Sequence, residues 1–298
     1  MKTMINALTI DVEDYFQVNA FARNVRLEQW DSFPLRVDGN TRRILDLLDS
    51  FAVSATFFVL GWVAERLPEL VKEIQRRGHE VACHGYNHEL IYLIGPERFR
   101  ADIRRSKALL EDQCGGRVNG YRAPSYSITK ESLWALDILV EEGFSYDSSI
   151  FPVMHDTYGI PDAERFPHVL RTGSGPLVEF PLTTLPVHLG WKEMRLPIAG
   201  GGYLRLLPVK IIRHGIEKVN LREQQPAVLY LHPWEIDPDQ PRIKAGLKSR
   251  FRHYLNLEKT EGKLTYLLTH LKFGTMTQAL RANCPACQDE LAPGFSCL

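Results

Sequence analysis

The sequence predicts an α/β fold in which helices connect the strands of a parallel sheet. Two observations support this prediction. Short apolar segments rich in β-branched and aromatic residues alternate with longer amphipathic segments, which is the pattern of repeated strand–helix units. The chain of 298 residues also fits one large unit, because α/β barrels use about 250 residues as a single domain. Periodicity alone does not distinguish an open, doubly wound sheet from a barrel.

Six segments are predicted as strands because they are short, apolar and bounded by polar or turn-forming residues. They are NALTIDV, ATFFVLG, HEVACHG, GYRAP, FSYDSSI and AVLYLHP. Helices are predicted where apolar residues recur at helical spacing, in TRRILDLLDSF, LPELVKEIQRRG, PERFRADIRRSKALLEDQCGG, KESLWALDILVEEG and PVKIIRHGIEKVN. Pro68 suits a first helical turn, whereas Gly78 and Gly115 suit helix ends. Residues 152–206 are rich in proline and glycine, so we expect irregular loops around short strands there.

We expect a single domain over residues 1–283 and a flexible tail over residues 284–298. The five cysteines are an odd number, and a disulfide framework of the kind found in secreted proteins is not expected. Cys284, Cys287 and Cys297 lie in the tail, one fewer than the four ligands of a typical structural zinc site. The sequence therefore assigns no role to these thiols.

The charge balance restricts the partners of the chain. Thirty-six basic residues match 36 acidic residues, which argues against nucleic acid or a strongly anionic membrane as the main partner and favours a neutral substrate. The first apolar run meets Asp11 too early for a signal peptide, and no run approaches the roughly 20 apolar residues of a membrane span. We expect a cytoplasmic location, and the sequence makes no prediction about oligomeric state.

Polar side chains follow several predicted strands, at the edge where functional groups gather in parallel α/β folds. They are Asp11, Glu13, Asp14, His84, His88, Arg122 and His232. The histidines of HGYNH, at positions i and i+4, can face one divalent cation if the segment makes a helical turn. A carboxylate from the first strand would complete a site with open positions. Taken alone, such a histidine pair fits hydrogen-bonded loop residues better than metal ligands, but the clustering of polar groups at strand ends favours the metal site.

A family resemblance covers most of the chain and lies in five motifs: LTIDVED, ATFFVLG, GHEVACHGYNH, GYRAPSYSIT and YLHPWE. In order and spacing they resemble the motifs of NodB-type polysaccharide deacetylases, carbohydrate esterase family 4. Four further segments, DVEDYF, FPVMHDTYG, GGGYLRLLP and LHPWEIDPDQPR, are similar to the branch found with exosortase and exopolysaccharide-synthesis loci. Residues 152–283 would then include a region specific to that branch.

The resemblance implies a distorted, incomplete (β/α)7–8 barrel that hydrolyses the N-acetyl amides of a polysaccharide or lipid-linked oligosaccharide. It also implies a divalent metal, with zinc as the first choice, and is compatible with peripheral association with membrane-bound glycan synthesis. Asp11 would be the general base that takes a proton from water activated by the metal. His232 would protonate the leaving amine, because an unprotonated amine is a poor leaving group.

Two further residues have a supporting role in this interpretation. Arg122 would keep Asp11 ionised and oriented through charge-assisted hydrogen bonds, although an ordinary salt bridge would fit the same position. Asp147, in YDSS, would either orient His232 or cap a turn. Tyr126 and Trp234 are the first candidates for a platform on which the apolar face of a sugar ring stacks.

The metal carboxylate departs from the common family pattern. Typical members carry adjacent aspartates in the first motif, whereas this chain has Asp11-Val12-Glu13-Asp14, and Val12 cannot bind a metal. Strand alternation places Asp11 and Glu13 on one face, as in a related D-x-D branch that resembles peptidoglycan deacetylases. Glu13 is therefore the favoured ligand, and Asp14 is the alternative if the chain turns after the strand.

Two other functions remain open at this point. The first is an allantoinase-like hydrolase of cyclic amides on the same barrel, because fold alone does not fix function. The second is a non-catalytic glycan-binding or assembly protein. The complete set of polar residues at the strand ends argues against the second, since decayed enzymes usually lose at least one such group.

Overall fold

The computed structural model describes residues 4–189, 192–198 and 200–291, and a curled parallel sheet dominates it. The strands are β1 (Asn6–Val12), β2 (Thr56–Val59), β3 (Glu80–Cys83), β4 (Gly120–Tyr121), β5 (Tyr146–Asp147), β6 (His168–Thr172), β7 (Gly175–Glu179), β8 (Thr184–Leu189), β9 (Lys192–Pro197), β10 (Val228–Leu231) and β11 (Phe273–Gly274). Eight of them follow the order β10-β1-β2-β3-β4-β5-β7-β6, and β11 pairs with β1. Because β10 and β6 stand at opposite ends of this order, the sheet is a half-barrel. The predicted distorted, incomplete (β/α) barrel is confirmed.

Helices pack on the sheet and connect its strands. They are α1 (Val37–Ser50), α2 (Gly61–Arg66), α3 (Pro68–Arg76), α4 (Ile91–Cys114), α5 (Trp134–Glu141), α6 (Gly202–Leu206), α7 (Val209–Arg222), α8 (Leu247–Tyr254), α9 (Leu257–His270), α10 (Met276–Asn283) and α11 (Pro285–Gln288). Pro68 occupies the first turn of α3, and Gly115 ends α4 with a φ of 65°. These predicted helix boundaries are confirmed, because proline and glycine supply the backbone angles that those positions require.

The sheet separates two apolar layers. On β1, Leu8, Ile10 and Val12 belong to the larger core, which packs against the helices. Ala7 points to the other face, where it shares a smaller core with residues such as Phe58 of β2. Side chains alternate between the faces of a strand, so odd-numbered residues of β1 face the inside of the curl.

The proline- and glycine-rich region folds into two hairpins, which agrees with the predicted short strands. Strands β6 and β7 form an antiparallel pair, and β7 extends the main sheet through parallel pairing with β5. Strands β8 and β9 form a separate antiparallel sheet. The loop that follows returns the chain to the main sheet, where Gly200 bridges to Tyr230 of β10.

The described part of the predicted tail, residues 284–291, packs on the domain, which differs from the expected flexibility. Cys287 and Leu291 are buried in the smaller core, and Cys284 and Cys287 form a disulfide bond. The sequence analysis did not anticipate this bond. Cys297 lies outside the described residues.

None of the helices in the described residues combines the length and the apolar character that a membrane crossing requires.

The close approach of β4 and β5 gives a stability prediction. A Cβ at Gly120 would lie 2.0 Å from Cζ of Tyr146, so we expect Gly120→Ala to lower the free energy of unfolding by about 1 to 3 kcal/mol. The matched control is Gly39→Ala in α1, where nothing lies within 4 Å of the added Cβ. That variant should gain about 0.5 to 1 kcal/mol because alanine favours a helix. Urea unfolding followed by circular dichroism measures both, and equal effects would contradict the proposed clash.

Candidate metal and acid–base site

The site is built from side chains that leave the strand ends on the inner face of the curl. Val81 and Cys83 of β3 face the larger core, on the outside of the curl, so the alternation turns His84 inward. Leu229 and Leu231 of β10 likewise face outward, which turns His232 inward. Arg122 follows the outward-facing Tyr121 in the same way.

Asp11 and Arg122 form a buried ion pair at the centre of the site. Oδ1 of Asp11 accepts a hydrogen bond of 2.7 Å from Nη1 of Arg122. The guanidinium also donates to Oγ1 of Thr9 at 2.7 Å and to Oγ of Ser148 at 3.0 Å. Burial lowers the pKa of Arg122, but the Asp11 carboxylate more than offsets this, and the net pKa is raised. The arginine therefore stays charged, and its fork fixes the orientation of Asp11.

Three side chains converge beside this pair in a manner suited to a metal ion. Glu13, His84 and His88 each offer one ligand atom, and these atoms all lie within 4.8 Å of one another. Nδ1 of His84 lies 2.8 Å from the carbonyl oxygen of Arg122, so it donates there and leaves Nε2 available. Burial lowers the pKa of His84 to about 4, which keeps the ring in the neutral form that binds metals. Two histidines and one carboxylate fit zinc with an open position.

Glu13 contacts side chains that follow two different strands, β3 and β10. Its Oε2 lies 2.7 Å from Nε2 of His88, and its Oε1 accepts a hydrogen bond of 3.2 Å from Nε1 of Trp234. Burial raises the pKa of Glu13, but His88 and His232 lower it more, to about 2. The carboxylate is therefore ionised at neutral pH, as a metal ligand must be.

The histidines do not lie on the helical turn that we expected for HGYNH. Gly85 and His88 instead adopt positive φ values of 73° and 55°. Asp102 of α4 holds this loop, because its carboxylate accepts hydrogen bonds from the backbone N–H groups of Tyr86 and Asn87 at 2.8 and 3.3 Å. The two imidazole rings still lie close together in an edge-to-face arrangement, with centroids 5.6 Å apart.

Asp14 serves a different purpose from Glu13. Its Oδ2 accepts hydrogen bonds from the backbone N–H groups of Arg36 and Val37, at 2.7 and 2.9 Å, where α1 begins. Its Oδ1 accepts one from the N–H of Tyr15 at 2.9 Å. Both oxygens of Asp14 are thus engaged by backbone groups, and the geometry favours Glu13 as the ligand. The ligand role itself stays a prediction.

His232 lies next to the carboxylates of Asp11 and Glu13. Its Nε2 lies 3.6 Å from Oε1 of Glu13 and 3.9 Å from Oδ2 of Asp11. Its Nδ1 contacts Oε2 of Glu235 at 3.0 Å. Burial lowers the pKa of His232, but Glu13, Glu235 and Asp11 together raise it to about 9. The imidazolium form therefore dominates at neutral pH in this arrangement.

The prediction that Asp147 orients His232 is wrong, and the alternative of a turn fits. Its carboxylate accepts hydrogen bonds from the hydroxyl and the backbone N–H of Ser149, at 2.6 and 3.2 Å. Tyr146 faces the smaller core, on the inside of the curl, so Asp147 points to the outer face, away from His232. There it lies beside the buried Glu179, whose pKa is raised well above its usual value by burial and by Asp147.

Glu235 and Arg205 are the supporting residues that the sequence analysis missed. Nε of Arg205 donates to Oε1 of Glu235 at 2.6 Å, and both side chains are buried. The signal for Glu235 was its place three residues after His232 in HPWE. Arg205 lies 30 residues from Glu235, and no local pattern pointed to it.

The two predicted sugar platforms do not present open ring faces. Trp234 is 4% exposed and stacks between His232 and His253, with ring centroids 5.1 and 4.1 Å away. Tyr126 is 6% exposed, and its hydroxyl donates to Oδ2 of Asp11 at 3.4 Å. These aromatic residues therefore hold the carboxylates, and the prediction of a stacking surface is corrected.

A cavity of about 400 Å³ opens beside His88. Its walls come from residues 16–30 and 87–94 and combine apolar side chains such as Trp30 with the amide of Gln17. Oε1 of Gln17 accepts a hydrogen bond from the N–H of Asp14 at 2.7 Å, whereas its buried Nε2 has no partner among the described residues. The cavity thus lies directly beside one of the candidate metal ligands.

Comparison with known families identifies two segments. Residues 28–139 match the family model described as polysaccharide deacetylase, and residues 148–281 match a domain of unknown function (DUF3473). The first segment is therefore similar to polysaccharide deacetylases, a family of amide hydrolases. His84, His88 and Arg122 lie in the first segment, and His232 lies in the second.

Curated relatives agree with the first match. A peptidoglycan-N-acetylglucosamine deacetylase of Bacillus cereus is 28% identical over 130 residues, 40% of this chain and 47% of that protein. A peptidoglycan deacetylase of Helicobacter pylori is 33% identical over 119 residues, 39% of this chain and 38% of that protein. The chain thus matches less than half the length of each of these relatives.

Solved structures share the fold over nearly the whole chain. A putative polysaccharide deacetylase from Mycobacterium smegmatis has a TM-score of 0.60 at 24% identity, covering 99% of this chain and 93% of that chain. Puue allantoinase has a TM-score of 0.58 at 14% identity, covering 94% of this chain and 89% of that chain. At these identities the likeness shows the half-barrel fold alone.

The separate positions of Glu13 and Asp14 give a paired prediction. We expect Glu13→Gln to weaken zinc binding at least about ten-fold, because a charged ligand is lost. Asp14→Asn should instead lower the free energy of unfolding by about 1 to 3 kcal/mol, because an amide group cannot accept the backbone hydrogen bonds as the carboxylate does. Titration calorimetry and thermal unfolding measure the two effects. An equal loss of zinc affinity in both variants would contradict the assignment.

The contacts of His232 give a prediction about its protonation. Glu235→Gln should lower the pKa of His232 by about 1 to 3, because the carboxylate that stabilises the imidazolium is removed. Asp147→Asn is the matched control and should leave this pKa unchanged, since Asp147 bonds to Ser149 on the other face. NMR titration of the metal-free protein reports both values. A shift of similar size in the control would show that Asp147 acts on His232 after all.

Proposed function

We propose that this protein is a metal-dependent deacetylase that removes N-acetyl groups from a polysaccharide or a lipid-linked oligosaccharide. The observation that carries the proposal is the convergence, at one edge of the half-barrel, of three different groups. These are the Asp11–Arg122 ion pair, the ligand set of Glu13, His84 and His88, and the His232–Glu235 pair. They supply a base, a metal site and an acid, which are the requirements of amide hydrolysis.

The base and its orientation come from the buried ion pair. When bound to Glu13, His84 and His88, a divalent cation would polarise the acetyl carbonyl and lower the pKa of a water molecule. Asp11 accepts the proton of the attacking water through Oδ2, because Oδ1 is committed to Arg122. Nη1 of Arg122 and the hydroxyl of Tyr126 keep this carboxylate in place.

His232 supplies the proton that the leaving group requires. The amide C–N bond breaks as His232 transfers its Nε2 proton to the amine nitrogen, so water and the acetamide become acetate and a free amine. Glu235 stabilises the imidazolium before that transfer through its contact with Nδ1, at 3.0 Å. Arg205 in turn keeps Glu235 ionised, and the pKa of Glu235 is about 2 because Arg205 and His232 outweigh the effect of burial.

The substrate and its cellular setting are further parts of the proposal. The cavity beside His88 has room for a neighbouring sugar unit, which its mixed polar and apolar walls would contact. Zinc as the metal follows from the donor set. A role in exopolysaccharide biosynthesis, a cytoplasmic location and peripheral association with membrane-bound synthesis rest on the sequence features alone.

The first test measures acetate release from N-acetylated oligosaccharides after chelation and reloading with zinc. We expect metal-dependent release by the native chain and a loss of at least about a hundred-fold in His84→Ala/His88→Ala, because removal of direct ligands exceeds the usual effect of removing their supporting groups. The control is His214→Ala/His270→Ala, which removes two exposed histidines and should keep the activity.

The other outcomes distinguish the remaining functions. Ring opening of cyclic ureides without acetate release would replace the proposal with an allantoinase-like activity. Zinc and glycan binding with no turnover of either substrate class would replace it with a binding role. Equal loss in the histidine control would show that the assay reports stability and not the site.

A further inference from the structure

One surface segment departs from the charge balance of the chain. The net formal charge of all 298 residues is zero. Residues 240–257 nevertheless contain five cationic residues and no aspartate or glutamate. The five are Arg242, Lys244, Lys248, Arg250 and Arg252. This segment includes helix α8. Its five formal charges are all positive, and none of the five residues belongs to the candidate site described above.

The exposed face of α8 combines these charges with large apolar side chains. Leu247 is 83% exposed and Phe251 is 64% exposed, and residues four apart lie on the same side of a helix. Lys248 and Arg252 flank this pair on one side and Arg250 on the other, since successive residues turn by about 100°. All three cations are exposed. We call Leu247, Lys248, Arg250, Phe251 and Arg252 the α8 patch.

The cations of the α8 patch have no acidic partners among the described residues. Elsewhere on the surface, long cationic side chains meet carboxylates, as Arg77 does with Asp46 and Arg104 does with Glu142. Such an unpaired cluster is unfavourable for two reasons. The exposed leucine and phenylalanine leave apolar surface in contact with water, and the neighbouring positive charges repel one another. Such a combination is typical of surfaces that meet an anionic, partly apolar partner.

The opposite face of α8 packs directly behind the candidate active site. His253 is buried and stacks on Trp234, with ring centroids 4.1 Å apart, and Trp234 donates to Glu13. Nη1 of Arg205 also donates to the carbonyl oxygens of Arg252 and His253, at 2.8 and 2.7 Å. The patch is therefore fixed rigidly to the edge of the half-barrel that carries the candidate metal site.

A neighbouring loop carries a further exposed apolar side chain. Met154 is 83% exposed. The next residue, His155, lies close enough to α8 that its pKa is lowered by Arg252 and Lys248 in addition to burial. The loop that carries the exposed Met154 therefore lies near α8.

We infer that the α8 patch docks this protein on an anionic membrane surface. Leu247 and Phe251 enter the interface, and Lys248, Arg250 and Arg252 contact lipid phosphates. Charge complementarity selects anionic lipid as the occupant, because the apolar pair requires an apolar phase between the charged headgroups. The inference deepens the peripheral membrane association of the proposed function, on which it rests, and it would bring the candidate active site close to a glycan carried by a lipid.

The test is flotation of the full chain with lipid vesicles. We expect binding to vesicles of phosphatidylcholine with phosphatidylglycerol, no binding to phosphatidylcholine alone, and weaker binding at high salt. Lys248→Glu/Arg252→Glu and Leu247→Ser/Phe251→Ser should each weaken the partition at least about ten-fold. Thermal unfolding confirms that both variants remain folded.

Matched controls carry the same changes on other surfaces. Arg76→Glu/Arg117→Glu makes the same charge change at exposed residues near the opposite ends of the strands, and Ile211→Ser/Leu221→Ser removes two exposed apolar residues of α7. Both should bind vesicles as the native chain does. Equal weakening in the controls, or vesicle binding that survives both patch variants, would overturn the inference.

Two further outcomes would also overturn it. These are binding to neutral vesicles alone and binding to a soluble acidic polysaccharide with none to vesicles. The flotation test does not measure catalysis, so its result does not depend on the acetate assay. If the deacetylase proposal failed, the flotation result could still be interpreted.

Discussion

The alternation of side chains between the two faces of the curled sheet governs the whole site. Leu8, Ile10 and Val12 of β1 enter the core beneath the helices, which leaves Asp11 facing the inside of the curl. The parallel neighbours obey the same rule, so Arg122 and His232 turn inward after β4 and β10. A slip of one residue in β1 would exchange these faces and place an unpaired carboxylate in an apolar core, at a cost of several kcal/mol.

The buried charge of Arg122 sets the next level of order. A fully buried guanidinium requires a partner for its charge and for its donors, and Asp11, Thr9 and Ser148 supply them. Behind it, Ser149 donates to Asp147 and accepts a hydrogen bond from the N–H of Ala123. The carboxyl groups on the outer face thus stabilise the strand end that carries Arg122, and the candidate chemistry stays on the inner face.

The candidate site joins segments that the family comparisons separate. The segment that matches the polysaccharide deacetylase model contains His84 and His88, whereas Trp234 and Glu235 lie in the segment that matches a domain of unknown function. Glu13 precedes both. In the proposed mechanism the second segment supplies the acid and its support, and helix α8 of the same segment carries the surface that we assign to membrane docking. Because the proposed site takes residues from both segments, the second segment is required for the proposed activity.

Patterns in the sequence suffice to predict the α/β class and the strand-end residues, and they place Asp11 and Glu13 on one face. These features follow from period-two and period-3.6 patterns, which neighbouring residues encode. Three features required the folded structure. Asp14 binds the backbone of Arg36 and Val37. Glu235 takes the place of Asp147 beside His232, and the rings of Tyr126 and Trp234 are buried. Each of these outcomes depends on which segments meet across the half-barrel, and local periodicity carries no information about partners so distant in the chain.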